Sequence, residues 1–218
     1  MSTQGGFPLA KRKRRKSRKT TSGRKVLIWI LVVIALFLGV YAAHHYYRIW
    51  NQQRIERQLQ RQDQQAKQAF IKQVAPESQA MQNAYHVYAS VTIAQAILES
   101  QWGTSQLASQ YHNLFGIKGT DPNNSRVLTT KEYINGHWIV TKGRFKVYDS
   151  WSDSIKDHTK LMLNGTDTNK ENYQAVVQAT SYQQAARELQ KAGYATDPDY
   201  AQKLISVIQT YKLYNYDK

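Results

Sequence analysis

Between Val26 and Ala43 run eighteen residues without a charge, VLIWILVVIALFLGVYAA, and no other feature constrains the chain as much. A helix of that length spans ~27 Å at about 1.5 Å per residue, close to the hydrocarbon thickness of a bilayer. Residues 1–25 hold ten Lys and Arg and no acid. Positive charge of that density before a spanning helix stays cytoplasmic, which puts everything after residue 43 outside. Taken alone, KRKRRKSRKTTSGRK (11–25) also suits a nucleic-acid arm. The apolar run behind it makes it a topogenic flank instead, so no nucleic-acid partner is expected. A competing reading is a cleaved signal peptide, since Val40-Tyr41-Ala42 offers small residues at the offsets of a cleavage site. The apolar stretch exceeds the usual h-region of about 7–15 residues, and that favours an uncleaved anchor.

Charge then divides the remainder. The net +15 of the 218-residue chain splits into +10 for the tail, +2 for residues 44–66 and +3 for residues 67–218. The segment 44–66 begins with Tyr46, Tyr47 and Trp50, aromatics of the kind that mark a membrane interface, and continues Gln/Arg-rich. Ile55, Leu59 and Ala66 form too thin a stripe for a core, so a solvated helical stalk is expected. The organisation read from sequence is therefore a tail (1–25), an anchor (26–43), a stalk (44–66) and a globular domain (67–218).

Within the domain, helical periodicity recurs at roughly 67–85, 90–102, 104–110, 151–164, 171–179, 181–192 and 199–212. Arg126–Tyr148 reads as a hairpin, because Asn135-Gly136 between apolar and aromatic runs suits a type I′ turn. Asp197-Pro198 reads as a cap with proline in the first turn, and Gly193 as the glycine closing the 181–192 helix. The fold class expected is α+β, a mostly helical domain with a small β-hairpin lobe, preceded by a single transmembrane helix.

The chemistry concentrates in residues 90–103. Ser90 suits an N-cap, and Ile93, Ala96, Ile97 and Ser100 share a core-facing side. Gln95, Glu99 and Trp102 share another. A carboxylate near the C-terminal end of a helix meets the unfavourable pole of the macrodipole, and an apolar neighbour adds desolvation. Both raise its pKa toward the range a general acid needs. Zero Cys, no His-x-x-x-His and no acidic cluster leave no metal centre to expect, and no nucleotide-binding loop points to a cofactor. His158 falls on the apolar side of its helix and reads as a satisfied core histidine.

These residues also carry a resemblance. AQAILESQWGTSQLA (94–108), NLFGIKG (113–119), Phe145 with Tyr148-Asp149-Ser150, SIKDH (154–158) and GYATDPDY (193–200) occur in the order found in bacterial autolysin-type glucosaminidases, glycoside hydrolase family 73. The similarity covers about residues 67–218. It implies a lysozyme-like fold and hydrolysis of N-acetylglucosaminyl bonds in the glycan strands of peptidoglycan, without a cofactor. It further implies Glu99 as general acid, Glu132 in the hairpin, 33 positions on, as second carboxylate, and Tyr194 as active-site tyrosine. Trp102, Asn113, Phe115, Tyr148 and Tyr200 are the residues the resemblance places along a sugar-binding cleft. Phe115 and Asn113 equally suit packing and bracing of their loop. Gln101 departs from the family pattern, which has glycine there. Two mechanisms stay open at this point: inversion with carboxylates about 6.5–9.5 Å apart, or assistance by the substrate's own acetamido group. A muramidase, a lytic transglycosylase and a non-catalytic wall-binding module are the competing functions.

Overall fold

The computed structural model describes residues 21–134 and 137–218, with backbone alone at 21, 22, 131–134 and 138. Residues 1–20 and the Asn135-Gly136 turn thus lie outside the described residues. The chain divides into two compact units at Gln60/Arg61. Helix α1 (Thr21–Tyr85) is continuous through that division. In the first unit it carries the apolar run, with an 18-residue window of mean hydropathy 2.8 and none of that window buried. It is one helix long and apolar enough to cross a membrane. Residues 52–60 are exposed throughout, as a solvated helical segment requires.

In the second unit α1 becomes a core helix, burying Phe70, Ile71, Val74 and Ala75. It is followed by α2 (Ala89–Ser100), α3 (Gln106–Tyr111), α4 (Trp151–Asn164), α5 (Gln174–Val177), α6 (Tyr182–Lys191), α7 (Tyr200–Thr210) and a 3-10 turn, Leu213–Tyr216. Between α3 and α4 stands an antiparallel hairpin, β1 (Ser125–Ile134) with β2 (His137–Lys146). The ladder runs from Ser125 opposite Lys146 to Ile134 opposite His137.

The middle of the unit is α2, against which α6, α7 and the 3-10 turn pack. Every residue from Ala89 to Ile97 is buried. Sequence periodicity suggests an amphipathic helix, and the structure replaces that with one enclosed on all sides. Polar Thr92 and Gln95 are taken inside with it. The helix also starts one residue early. Ser90 is therefore not the N-cap: Tyr88 occupies that position without a side-chain bond. The first N–H groups are satisfied from a distance, Ser90 N–H donating to Asp217 Oδ1 (2.7 Å) and Ala89 N–H to Gln82 Oε1 (2.6 Å). Asp197 likewise lies ahead of its expected cap position. It accepts from Asp199 N–H (2.9 Å) in a turn, and α7 begins only at Tyr200.

Candidate active site

Glu99 is the penultimate residue of α2, and the chain leaves the helix abruptly just after it. Ser100 Oγ donates back to Ala96 O (2.5 Å) and accepts from Gly103 N–H (2.7 Å). Gln101, Trp102 and Gly103 then take positive φ of 52°, 63° and 75°. At Gly103 glycine is required twice, by its φ and because a Cβ would stand 2.6 Å from the Trp151 ring. Gln101 sits where a left-handed residue closes the helix, the position glycine fills best. Its departure from the family pattern is thereby a local backbone cost.

This ending overturns one expectation. Helical spacing placed Trp102 beside Glu99, but the helix has stopped by then. The indole packs edge-on against Phe70 and Tyr211, at 6.0 and 4.8 Å between centroids, with the Lys67 ammonium above it. Tyrosines stand beside the carboxylate instead. Tyr200 Oη donates to Glu99 Oε1 (2.9 Å), and Gln95 Nε2, one helical turn before Glu99, reaches Tyr200 Oη at 3.4 Å. Tyr194 stacks on Tyr200 with ring centroids 5.8 Å apart. A helix ending puts it there: Tyr194 N–H bonds Leu189 O and Gly193 N–H bonds Gln190 O, a Schellman motif with Gly193 at φ 71°. Gly193 is thus the closing glycine that the sequence predicts.

Glu99 keeps a solvent-facing side, yet protein surrounds it closely enough to strip much of its hydration. That desolvation pushes its carboxyl above the ordinary range, and the Tyr200 hydrogen bond only partly offsets it. Burial first, and then the nearby Glu99 charge, pushes the phenols of Tyr194 and Tyr200 well up, so both remain proton donors at physiological pH.

Three further expected cleft residues are committed elsewhere. Tyr200 is 4 % exposed, so it contacts the carboxylate rather than presenting a ring for sugars to stack on. Asn113 is 1 % exposed and braces its loop: its amide donates to Ile117 O (2.9 Å) and Lys146 O (3.0 Å), and its oxygen accepts from Ile117 N–H (3.1 Å). Phe115 is 6 % exposed and stacks at 4.0 Å on His158 of α4. Neither Asn113 nor Phe115 is open to a sugar. Tyr148 is half-buried and donates to Asp157 Oδ2 (2.7 Å). Glu132 lies in β1 opposite Ile139, and its side chain falls outside the described residues.

His158 corrects another expectation. It is buried and neutral, its pKa pushed down to about 3 by burial, but it is not satisfied. Among the described residues neither ring nitrogen has a hydrogen-bond partner, and the ring lies between Phe115 and the edge of Tyr194, 5.9 Å away. Among the described residues no three His, Asp or Glu side chains gather into a metal-binding group. The arrangement sets a carboxyl with a raised pKa beside two phenols, a grouping able to donate a proton.

A protein-family profile described as glucosaminidase, "mannosyl-glycoprotein endo-beta-N-acetylglucosaminidase", matches residues 75–213. The chain belongs to the glucosaminidase family. It is a glucosaminidase-family hydrolase, and the matched region contains Glu99, Tyr194 and Tyr200. The exo-glucosaminidase LytG of Bacillus subtilis is 39% identical over 204 residues, 93% of this chain and 70% of that protein. The peptidoglycan hydrolase FlgJ of Escherichia coli K12 is 38% identical over 150 residues, 66% of this chain and 46% of that protein. The catalytic domain of the autolysin Auto from Listeria monocytogenes superposes with a TM-score of 0.64 at 36% identity, covering 70% of this chain and 88% of that one. A mostly helical domain with one small two-stranded sheet is thus the architecture shared with solved glucosaminidase domains.

Proposed function

We propose that this glucosaminidase hydrolyses peptidoglycan glycan strands at N-acetylglucosaminyl β-1,4 bonds, on a lysozyme-like fold, with Glu99 as general acid. One observation carries the reading: a desolvated carboxyl on the most enclosed helix, held by a tyrosine and bordered by a second. Tyr200 occupies Oε1, which leaves Oε2 to carry the proton that the leaving glycosidic oxygen takes. Once that proton is gone, the same hydrogen bond stabilises the carboxylate. Tyr194 orients the acetamido group or the attacking water, and Glu132 is the second carboxylate, supplied by the hairpin. Trp102 and Tyr148 keep partial exposure and remain candidates for contact along the glycan. Peptidoglycan as substrate is supported by the names of the relatives, and no cofactor or nucleic acid enters the reaction.

The apolar part of α1 anchors the protein in the cytoplasmic membrane as a single pass, the basic tail inside and the hydrolase outside. Cleavage near Ala42 would instead release it. Protease protection in spheroplasts distinguishes the two arrangements.

The deciding experiment is digestion of purified walls followed by mass spectrometry of the fragments. New reducing-end N-acetylglucosamine supports the proposal, whereas reducing-end or anhydro N-acetylmuramic acid would replace it with a muramidase or a transglycosylase. Binding without release of fragments would leave a wall-binding module. A second reading concerns where on the strand cleavage falls. The first is endo cleavage within the strand, but the Bacillus relative matched over 93% of this chain is named an exo-glucosaminidase. Release of single sugars or disaccharides from strand ends, with no early drop in strand length, favours that reading.

A further inference from the structure

The outer face of α4 and the chain leaving β2 enclose a polar pocket of about 320 Å³. Asp153, Lys156, Asp157 and Lys160 stand along one wall, at the i, i+3, i+4, i+7 spacing of a helical stripe. Lys146, Val147 and Tyr148 form the other, with Asn124 held at their edge by a Val147 N–H to Asn124 O bond of 2.8 Å.

The pocket's charge is uneven, with Lys146, Lys156 and Lys160 against Asp153 and Asp157. Asp157 already accepts from Lys146 Nζ and Tyr148 Oη, each at 2.7 Å. Burial alone would raise its carboxyl, but those two bonds, with the nearby Lys146 and Lys160 charges, outweigh it and hold the group below the usual range. Asp153 accepts from Ser150 Oγ (2.7 Å) and faces Lys156 at 3.6 Å. Both anions are thus provided for from within. On the donor side, Lys160 makes no hydrogen bond or ion pair among the described residues, nor does the Asn124 side-chain amide. Lys156 is held only loosely, 3.6 Å from Asp153 and 3.8 Å from Glu77. Three ammonium groups stand against two carboxylates, and that surplus of positive charge, with Lys160 outside any hydrogen bond among the described residues, suits an anion. The volume exceeds that of a bare ion and suits a carboxylate together with the backbone that bears it.

Position adds to this. On α4, Asp157 lines the pocket while its neighbour His158 touches Tyr194 from the inner side. Tyr148 is a wall of the pocket and a candidate glycan contact at once. A glycan strand that reaches Glu99 carries peptides on its lactyl-bearing sugars, and these project sideways with free carboxylates. We propose that this pocket is a carboxylate-binding subsite for the stem peptide of the substrate, with Lys160 as its principal cation and Asn124 as a second donor. The proposal rests on peptidoglycan being the substrate.

Binding and cleavage are measured separately, so that the two readings can fail independently. Titration calorimetry with the full chain compares a disaccharide-peptide, the same disaccharide without peptide, and the disaccharide-peptide with its carboxylates converted to amides. The unmodified disaccharide-peptide should bind tighter than either of the others. Lys160→Gln should weaken its binding about 2–5-fold, the range of an exposed charge contact, without affecting the peptide-free disaccharide. Lys160→Arg should restore it. Equal weakening toward both ligands, no weakening, or undiminished binding of the amidated form overturns the proposal. So does an effect of Lys160→Gln that appears only on walls retaining phosphodiester polymers, because the anion is then phosphate. A chain that shows the expected binding yet releases no fragments from walls keeps the subsite and loses the proposed hydrolysis.

Discussion

Helix α2 and the β1–β2 hairpin each offer one carboxylate to the proposed reaction, and they are built in opposite ways. The helix is enclosed by α6, α7 and the 3-10 turn, and its side chains from Ala89 to Ile97 are out of solvent. The hairpin is held mainly by its own pairing. Val127, Ile139 and Val140 on it are 50%, 41% and 67% exposed, and its base is tied through Lys118 opposite Phe145 and the Lys146 N–H to Ile117 O bond. Close packing of protein around a carboxyl shifts its pKa, whereas an open support leaves an ionised group hydrated. An acid that must be protonated near neutrality belongs on the first support, and an ionised base or nucleophile on the second.

The sharpest way to break this contrast is Glu99→Gln, which should lower wall hydrolysis about 10²–10⁴-fold with the fold intact by circular dichroism. Its stability should also respond to pH in a defined direction. Because the folded-state pKa of Glu99 is raised, the parent has this group's full contribution below the unfolded carboxyl pKa and loses it as pH rises through the folded value. Thermal melts should therefore show Glu99→Gln more stable than the parent at pH 7, with the gap closing by about pH 4. A variant less stable at pH 7 than at pH 4, relative to the parent, contradicts the raised pKa. Glu132→Gln should cost roughly 10²-fold in activity, with no stability shift of this kind. Activity near that of the parent there would assign the second function to the substrate's acetamido group.

Tyr200→Phe should produce a smaller, few-fold loss with a distinct signature. Removing the donor to Glu99 removes the bond that lowers its pKa, so the alkaline limb of the pH–activity profile should move upward. An unchanged limb would show that the tyrosine only fills space. Asp217→Ala removes the distant acceptor at the start of α2 and should cost about 1 kcal/mol in chemical denaturation. Gln101→Gly should give about 0.5–1 kcal/mol back, by relieving a non-glycine residue at φ 52°.

Much of the fold was legible because local chemistry agrees with it. The helix expected over 151–164 is α4 to the residue, since Ser150 caps it through Asp153 N–H and Gly165 stops it. The hairpin expected within Arg126–Tyr148 is present as β1 paired antiparallel with β2. What escaped detection depends on contacts far apart in sequence. Tyr200 is 101 residues from Glu99, and nothing local distinguishes a tyrosine that donates to a carboxylate from one that stacks on a sugar. Gln95 and Thr92 look like a solvated face until α6, α7 and the 3-10 turn cover them. Periodicity sets Trp102 beside Glu99 because it carries no signal that the helix ends at Ser100, ahead of the left-handed Gln101 and Trp102.

The bond between Ser90 and Asp217 spans 127 residues, and this has a consequence in time. Chains are made from the N-terminus, so the helix bearing Glu99 is synthesised early and gains this acceptor only when residue 217 has emerged. Tyr200, too, arrives a hundred residues after the carboxylate it holds. An unfinished chain thus has Glu99 but not the surroundings that raise its pKa, and the proposed hydrolytic competence arises late, with the closing of the fold.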